Sequence, residues 1–355
     1  MNIKKFGLRS SSIAIVCLVA LIACMPRQSI SAELQLAPSA RCNVKVIGEI
    51  MVGDAERLSK LLDKEDVGYL CLNSDGGNYA EALKIIDVIF KRGGLVATIV
   101  ERGDVCLSAC AFVFLAGQKH LGDGVFVPFR FMSVGAKIGF HAPYITAEGS
   151  PNGEAARVYR EGVRAIGRLL TLTAEDKQRE EFFPRSLLAE ALKVGPDDFF
   201  LMDKVDKLGR WSIRLFDHAK PERITNRMLA TACGNADMWQ LSGQSAEGYD
   251  YSVDYMGKPL PKEQRVDLVK RKYKTTLKGY GSEYQDVCNV MVYDHPKFGP
   301  FLALTFNDNR LEDPEFWMNA QGRQWQADDL ELIGIGVPLY FMVPAGTSIM
   351  ALKSK

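Results

Sequence analysis

The sequence lacks the features of a metalloprotein, a nucleic-acid-binding protein or a polytopic membrane protein. It contains no Cys-x-x-Cys pair, and its four histidines are scattered, so no metal centre is predicted. The formal net charge is only +1 over 355 residues, which gives no basis for nucleic-acid binding. Beyond residue 32, no apolar stretch reaches the ~20 residues that a transmembrane helix needs. We therefore expect no metal, no cofactor and no nucleic-acid partner.

Residues 1–32 have the pattern of an export signal. Three basic residues precede an apolar run at 13–25, which is short for a membrane anchor. Small residues before Glu33 offer a cleavage site. A competing interpretation is a lipobox ending at Cys24, which would then become the lipidated N-terminus, and an uncleaved anchor is a third. The pattern favours simple export to the periplasm or the cell exterior.

The cysteines indicate an oxidising compartment. Eight are present, and the six that follow residue 32 are an even number, as expected for disulfides in an exported protein. Cys106 and Cys110 lie on either side of Ser108 and are predicted to pair. Cα atoms four apart on a regular helix are ~6 Å from one another, near the upper limit for a disulfide, so a bend would help. The alternatives are a Cys71–Cys110 bridge, or unpaired core roles for both of these residues.

Repeated strand–helix units predict an α/β fold with parallel strands and helices packed outside. Strands are predicted at 43–50, 67–72 and 95–100, with helices between them at 54–62 and 79–91. Residues 121–133 interrupt this pattern with two glycines and Pro128. They are predicted to be a mobile flap, an oligomer contact or an ordinary surface insertion.

A change of composition after residue 218 divides the chain. Residues 219–355 contain a predicted helix at 225–233 and predicted strands at 287–293, 300–306 and 337–343, separated by turn signals. We therefore predict a linker at 33–41, an α/β domain at 42–218 and a smaller β-rich domain at 219–355. The β-rich part carries no catalytic constellation, and its role is not predicted.

Three features in chain order carry the chemistry. A glycine pair at 76–77 follows a strand, where the backbone can turn sharply and leave N–H groups pointing outward. Ser108 stands at the start of an apolar helix, and His141 ends a short strand. These are the parts of a serine hydrolase: oxyanion donors, nucleophile and base. The alternatives are a helix-capping role for Ser108 and a hydrogen-bonded core role for His141.

At these residues the chain resembles the Clp protease proteolytic subunit, in the periplasmic branch of the Clp/crotonase superfamily. The likeness rests on Ser-Asp-Gly-Gly at 74–77, Cys-Leu-Ser-Ala-Cys at 106–110 and Gly-Phe-His-Ala-Pro at 139–143, and covers roughly 42–211. It implies a spiral of β-β-α units and a homo-oligomer that cleaves peptides or unfolded proteins. Two departures are Asp75, where the family usually has Pro, and a longer stretch between the serine and the histidine.

The resemblance also implies roles for individual residues. Ser108 would be the nucleophile, His141 the base and Asp198 the third member of the triad, with Asp197 and a simple capping role as alternatives. An extended substrate would add as a strand beside the glycine turn. The backbone groups implied are the oxyanion donors of Gly77 and Ala109 and the substrate contacts of Gly76 and Asn78. Outside the cytoplasm, no ATPase partner is expected.

Two other functional classes remain open. A catalytically silent relative would bind peptides or serve as a scaffold in the bacterial envelope, and the departure at Asp75 keeps this class open. A crotonase-type acyl-CoA enzyme would use the same oxyanion geometry. Export argues against it, because CoA is a cytoplasmic cofactor and the sequence has no adenine-binding signature.

Overall fold

The protein is mixed α/β, and its structure is a computed structural model. It describes residues 31–64, 67–120, 124, 126–143, 163–164, 166–168, 170–171, 182–195, 197–221, 224–240, 265–266, 272–278, 287–295, 299–306 and 336–352. The predicted signal peptide, including Cys24, therefore lies outside the described residues except for its last two positions.

Strands outnumber helices among the described elements. The strands are β1 (Glu33–Ser39), β2 (Cys42–Ile47), β3 (Tyr69–Asn73), β4 (Ala97–Val100), β5 (Val105–Leu107), β6 (Gln118–His120), β7 (Phe126–Pro128), β8 (Arg130–Ser133), β9 (Lys137–Phe140), β10 (Phe200–Leu201), β11 (Ile213–Phe216), β12 (Ile224–Thr225), β13 (Arg265–Val266), β14 (Lys272–Lys278), β15 (Val287–His295), β16 (Gly299–Phe306) and β17 (Gly336–Val337). The helices are α1 (Asp54–Lys64), α2 (Tyr79–Arg92), α3 (Ala109–Leu115), α4 (Arg185–Leu192), α5 (Val205–Arg210) and α6 (Asn226–Gln240).

A six-stranded sheet in the order β1-β2-β3-β4-β8-β11 forms the main layer. From β2 onward each strand is parallel to its neighbour. The helices α1 and α2 return the chain from β2 to β3 and from β3 to β4, as parallel pairs require. A smaller sheet, β10-β9-β5, carries β5 and β9 parallel to one another. Both sheets contribute to one core, in which every side chain of α3 is buried.

Two predicted irregular segments contain strands instead. The predicted linker at 33–41 holds β1. This strand pairs antiparallel with β2 and is the edge strand of the sheet. The predicted insertion at 121–133 ends in β8, which lies between β4 and β11 in the main sheet. The insertion interpretation is therefore wrong for 130–133. Gly124 and Pro128 belong to the hairpin of β6 and β7 that precedes this strand.

The beginning of the described chain is held by Asp54, at the start of α1. Its buried carboxylate accepts hydrogen bonds from the N–H groups of Met51 (2.8 Å) and Ala32 (3.3 Å) and from the side chains of Ser31 and Arg57. Burial opposes ionisation, but these bonds outweigh it, so the pKa of Asp54 lies below its ordinary value. Ala32, beside the predicted cleavage site, is buried.

The last described segment, 336–352, is hydrogen-bonded to residues 205–213. The N–H groups of Val205 and Asp206 donate to the carbonyls of Thr347 (3.0 Å) and Ala345 (2.9 Å). The Tyr340 hydroxyl donates to the buried carbonyl of Ile213 at 2.7 Å. These contacts cross the predicted boundary at residue 218.

The sheet β14-β15-β16-β17 is antiparallel. The predicted strand at 337–343 is wrong for most of its length, because a 3₁₀ helix occupies Leu339–Met342. Pro338 precedes that turn and has no N–H to donate to a sheet ladder.

Three disulfide bonds join the described cysteines. Cys42 pairs with Cys71, Cys106 with Cys110, and Cys233 with Cys288, at Cα separations of 5.7, 5.1 and 6.1 Å. They are consistent with an oxidising environment. Among the described residues, no helix combines the length and the hydropathy needed to cross a membrane.

Candidate active site

Ser108 occupies the sharp turn between β5 and α3. Its backbone has φ 54° and ψ −125°, a combination that costs an L residue ~1–3 kcal/mol. A strained serine between a strand and a helix is the geometry of a nucleophile elbow, which presents the hydroxyl outside the turn. The side chain makes no capping hydrogen bond to α3. Ser108 therefore holds the N-cap position without performing the capping function.

The strand pairing brings Ser108 and His141 to the same edge of the small sheet. In the parallel pair of β5 and β9, Leu107 lies opposite Gly139. The N–H of Ser108 donates to the carbonyl of Gly139 at 3.0 Å. Both predicted catalytic residues thus follow the carboxyl ends of neighbouring parallel strands, where functional side chains commonly converge.

The glycine turn packs directly against Ser108. The N–H of Ser74 donates to the carbonyl of Val105 at 2.8 Å, and the N–H of Leu107 donates to the carbonyl of Ser74 at 3.0 Å. A Cβ on Gly76, whose φ is 111°, would lie 2.7 Å from the Cβ of Ser108. Only glycine permits this approach, so the turn is part of the serine's immediate surroundings.

The two predicted oxyanion donors are available. Within the described ranges, neither the N–H of Gly77 nor that of Ala109 donates to another residue. The N–H of Gly76, in contrast, donates to the hydroxyl of Ser74 at 3.1 Å. Because the N–H of Gly76 already has an acceptor, Gly77 is favoured over Gly76 as the oxyanion donor from the glycine turn.

His141 is buried, with 3% of its surface exposed, and its ring packs edge-on against Phe199. Its Nδ1 lies 2.8 Å from the carbonyl oxygen of Ala142. A carbonyl oxygen only accepts, so Nδ1 is the donor in this hydrogen bond, and the neutral tautomer that it selects offers Nε2 as a base. The hydroxyl of Ser108 makes no hydrogen bond within the described residues. Such a contact often forms only when substrate binds.

Asp198 lies near the histidine's strand but is not bonded to the histidine. It comes two residues before β10, which pairs antiparallel with β9 and places Phe200 opposite Phe140. Its side chain is exposed and has no hydrogen bond or ion pair to a described residue. Asp197 is exposed as well. The triad role of Asp198 stays a prediction.

One side of the glycine turn is already occupied by Ile50, which the sequence reasoning missed. The N–H of Ile50 donates to the carbonyl of Gly76 at 2.7 Å, and its carbonyl accepts the N–H of Asn78 at 2.8 Å. The Asn78 side chain caps α2 by accepting the N–H of Glu81 at 2.9 Å. An added substrate strand therefore has to lie on the opposite side of the turn.

The Cys106–Cys110 disulfide brackets Ser108, and both of its cysteines are fully buried. Cys71 pairs with Cys42 instead of Cys110. Near that second bridge, Glu101 lies within 4.8 Å of both sulfurs. Because these sulfurs are joined in a disulfide, they offer no thiolate to a metal ion.

No protein-family model and no curated protein matches the chain. Among solved structures, the chain is similar to a mutant of ClpP1 from Listeria monocytogenes, with 20% sequence identity and a TM-score of 0.31. The match covers 48% of this chain and 89% of that one. A TM-score this low carries no argument, so the function has to be argued from the geometry of the chain itself.

Proposed function

We propose that the protein is an exported serine peptidase-like hydrolase that forms an acyl-enzyme on Ser108. The observation that carries the proposal is the strained elbow at Ser108, packed against a glycine turn. A helix cap needs neither that backbone strain nor a glycine in contact with its Cβ. Here the strain is retained although the hydroxyl caps nothing.

The fold that we propose is a Clp/crotonase-like spiral of β-β-α units with a β-rich part after residue 218. The parallel order of β2, β3, β4 and β8 supports this architecture. So do the helices α1 and α2, which join consecutive strands of the main sheet. A homo-oligomer is part of the same proposal.

The catalytic steps follow from the positions of the groups. Nε2 of His141 takes the proton of the Ser108 hydroxyl, and the oxygen attacks the peptide carbonyl. The N–H groups of Gly77 and Ala109 donate to the resulting oxyanion. Loss of one such donor typically costs ~3–4 kcal/mol. The imidazolium then protonates the leaving amine, and the ester is hydrolysed by a water from which His141 removes a proton.

The proposed substrate is an extended peptide or an unfolded protein. Because Ile50 fills one side of the glycine turn, the substrate would lie along the other side. The three disulfides support a periplasmic or secreted location, in which no ATPase partner is expected.

Labelling with a fluorophosphonate probe, combined with peptide hydrolysis, tests the proposal. Ser108→Ala should lose both probe labelling and peptide hydrolysis. It should keep the unfolding temperature of the parent protein, because alanine leaves no cavity there. Ser212→Ala is a matched control, since Ser212 is also a serine with positive φ, at 52°, but is exposed on another turn. It should label like the parent. Labelling that persists in Ser108→Ala would end the serine-hydrolase proposal.

A second candidate is a catalytically silent peptide-binding or scaffold protein. It is favoured by the exposed carboxylate of Asp198 and by the absence of a hydrogen bond between the described Ser108 and His141 side chains. A folded parent protein that the probe does not label, but that binds extended peptides, would establish this candidate.

A further inference from the structure

The peptide group between Gly76 and Gly77 is held in one orientation by two hydrogen bonds to its carbonyl. The N–H of Ile50 donates to the Gly76 oxygen at 2.7 Å, and the hydroxyl of Ser74 donates to the same oxygen at 3.2 Å. We propose that Ser74 is a positioning residue, which together with the Ile50 N–H directs the N–H of Gly77 toward the oxyanion. The inference rests on the proposed function of Ser108.

The geometry of the peptide group links this carbonyl to the proposed oxyanion donor. The peptide between Gly76 and Gly77 is trans, so its C=O and its N–H lie in one plane and point in opposite directions. Because the carbonyl points toward the N–H of Ile50, the N–H of Gly77 points away from Ile50. That direction leads to the side of the turn on which the substrate is proposed to lie. Fixing the carbonyl therefore fixes the direction of the donor.

The hydroxyl of Ser74 is bonded to both backbone groups of Gly76. It donates to the Gly76 carbonyl and accepts the Gly76 N–H at 3.1 Å, so its one proton is used on the carbonyl. Only 2% of the surface of Ser74 is exposed, and hydrogen bonds are stronger in such a buried place than in water. The backbone of Ser74 is itself bonded to Val105 and Leu107 of β5. The hydroxyl thus connects the carbonyl to the strand that precedes the serine elbow.

Each glycine of the turn is required for a different close approach. A Cβ on Gly77 would lie 2.4 Å from the oxygen and 2.8 Å from the nitrogen of Ile50. A Cβ on Gly76 would meet the Cβ of Ser108 and would lie 3.1 Å from the nitrogen of Ala109. The peptide group is therefore packed between the backbone that holds its carbonyl and the nitrogen of the second proposed oxyanion donor.

Selective isotope labelling makes this peptide group visible by NMR in the full chain. The sequence contains two Gly-Gly pairs, at 76–77 and 93–94. Glycine labelled with ¹³C at the carbonyl and with ¹⁵N therefore gives carbonyl–nitrogen correlations only for Gly77 and Gly94, and Gly94 is an internal reference. The fluorophosphonate probe leaves a phosphonyl oxygen on Ser108 that stands in for the oxyanion. Labelling should move the amide proton of Gly77 downfield and leave that of Gly94 unchanged.

The variant Ser74→Ala should slow the reaction without weakening substrate binding, because an oxyanion forms only after the substrate has bound. We expect kcat to fall by ~10–10²-fold with KM unchanged, which is less than the ~10²–10³-fold cost of losing an oxyanion donor. The downfield shift of Gly77 on labelling should also become smaller. Ser74→Thr retains the hydroxyl and should restore both values.

Ser133→Ala is the matched control. Ser133 is also a buried serine, and its hydroxyl donates to the carboxylate of Asp217 at 3.3 Å. This variant removes a buried serine hydroxyl that does not bond the glycine turn. Its kcat, its KM and its Gly77 resonance should therefore match those of the parent protein.

The outcomes distinguish this inference from the proposed function. A folded Ser74→Ala protein with parental kcat, or a loss confined to KM, would overturn the positioning role even if Ser108 hydrolyses peptides. An amide proton of Gly77 that does not move when the parent protein is labelled would overturn it as well, without any variant. If the probe never labels the parent protein, the peptidase is rejected and the carbonyl resonance of Gly76 decides. Loss of a hydrogen bond in Ser74→Ala should move it upfield, and an unchanged resonance would reject the role of Ser74.

Discussion

Substitution of Gly76 by alanine tests the packing of the glycine turn against the serine. A Cβ at this position would lie 2.7 Å from the Cβ of Ser108, 2.9 Å from the oxygen of Leu107 and 3.1 Å from the nitrogen of Ala109. The φ of 111° costs an L residue ~1–3 kcal/mol, and forced overpacking adds ~1–3 kcal/mol. We therefore expect the free energy of unfolding to fall by ~2–6 kcal/mol.

The clash should also displace the nucleophile. A displacement of ~1 Å at a reacting group lowers the rate by ~10²-fold. Equilibrium unfolding in urea measures the first effect, and the rate of fluorophosphonate labelling measures the second. Gly76→Ala should therefore be both less stable and much slower to label than the parent protein.

Gly135→Ala is the matched control, because it carries the backbone strain without the clash. Gly135 has φ 93°, and a Cβ there would approach only the Cγ of Arg102, at an ordinary 3.5 Å. It lies in the turn before β9, at the opposite end of that strand from His141. We expect it to lose only ~1–3 kcal/mol and to label at the parental rate. Equal stability and equal labelling of the two variants would refute the packing argument.

Two further predictions concern stability. Replacing Cys233 and Cys288 with serine should lower the free energy of unfolding by about 4 kcal/mol, against about 2 kcal/mol for Cys106 and Cys110, because the sequence separations are 55 and 4. Denaturant titrations would contradict this if loss of the Cys106–Cys110 bridge lowered the free energy of unfolding more than loss of the Cys233–Cys288 bridge. Asp54 has a pKa below its ordinary value of 3.8, so its contribution is present above that pH and lost as the pH falls through the folded pKa. Unfolding curves should show a shallower loss of stability below pH 3.8 for Asp54→Asn, and identical slopes would reject the role.

The positions of the glycine turn, Ser108 and His141 at the ends of strands were predictable from the sequence, whereas their surroundings were not, and their catalytic roles stay predictions. The glycine turn, Ser108 and His141 each stand at the end of a local pattern, so their neighbours in the chain reveal them. The contact of Ile50 with the glycine turn joins segments that are far apart in sequence, and no local pattern encodes it. The acceptor at Ala142 depends on backbone direction and ring orientation, which residue identity alone does not specify.

The main errors in the predicted fold have a common physical cause. Residues 130–133 form an interior strand, although Gly124 and Pro128 nearby are typical of a loop. Residues 33–39 form an edge strand because β2 offers them hydrogen-bonding partners. In both segments, pairing with a neighbouring strand outweighs the local turn and linker signals. The alternation of strands and helices in 54–100 was predictable because each of those elements has its own periodic pattern.

The return of residues 336–352 to α5 and β11 has a consequence for how the protein is made. A ribosome synthesises Ile213 long before Tyr340, so the buried carbonyl of Ile213 has no hydroxyl partner while the chain is growing. Units that depend on early residues alone can fold during synthesis, but this one is completed only by a late segment. The surroundings of Ile213 are thus completed only after residues 336–352 have been synthesised.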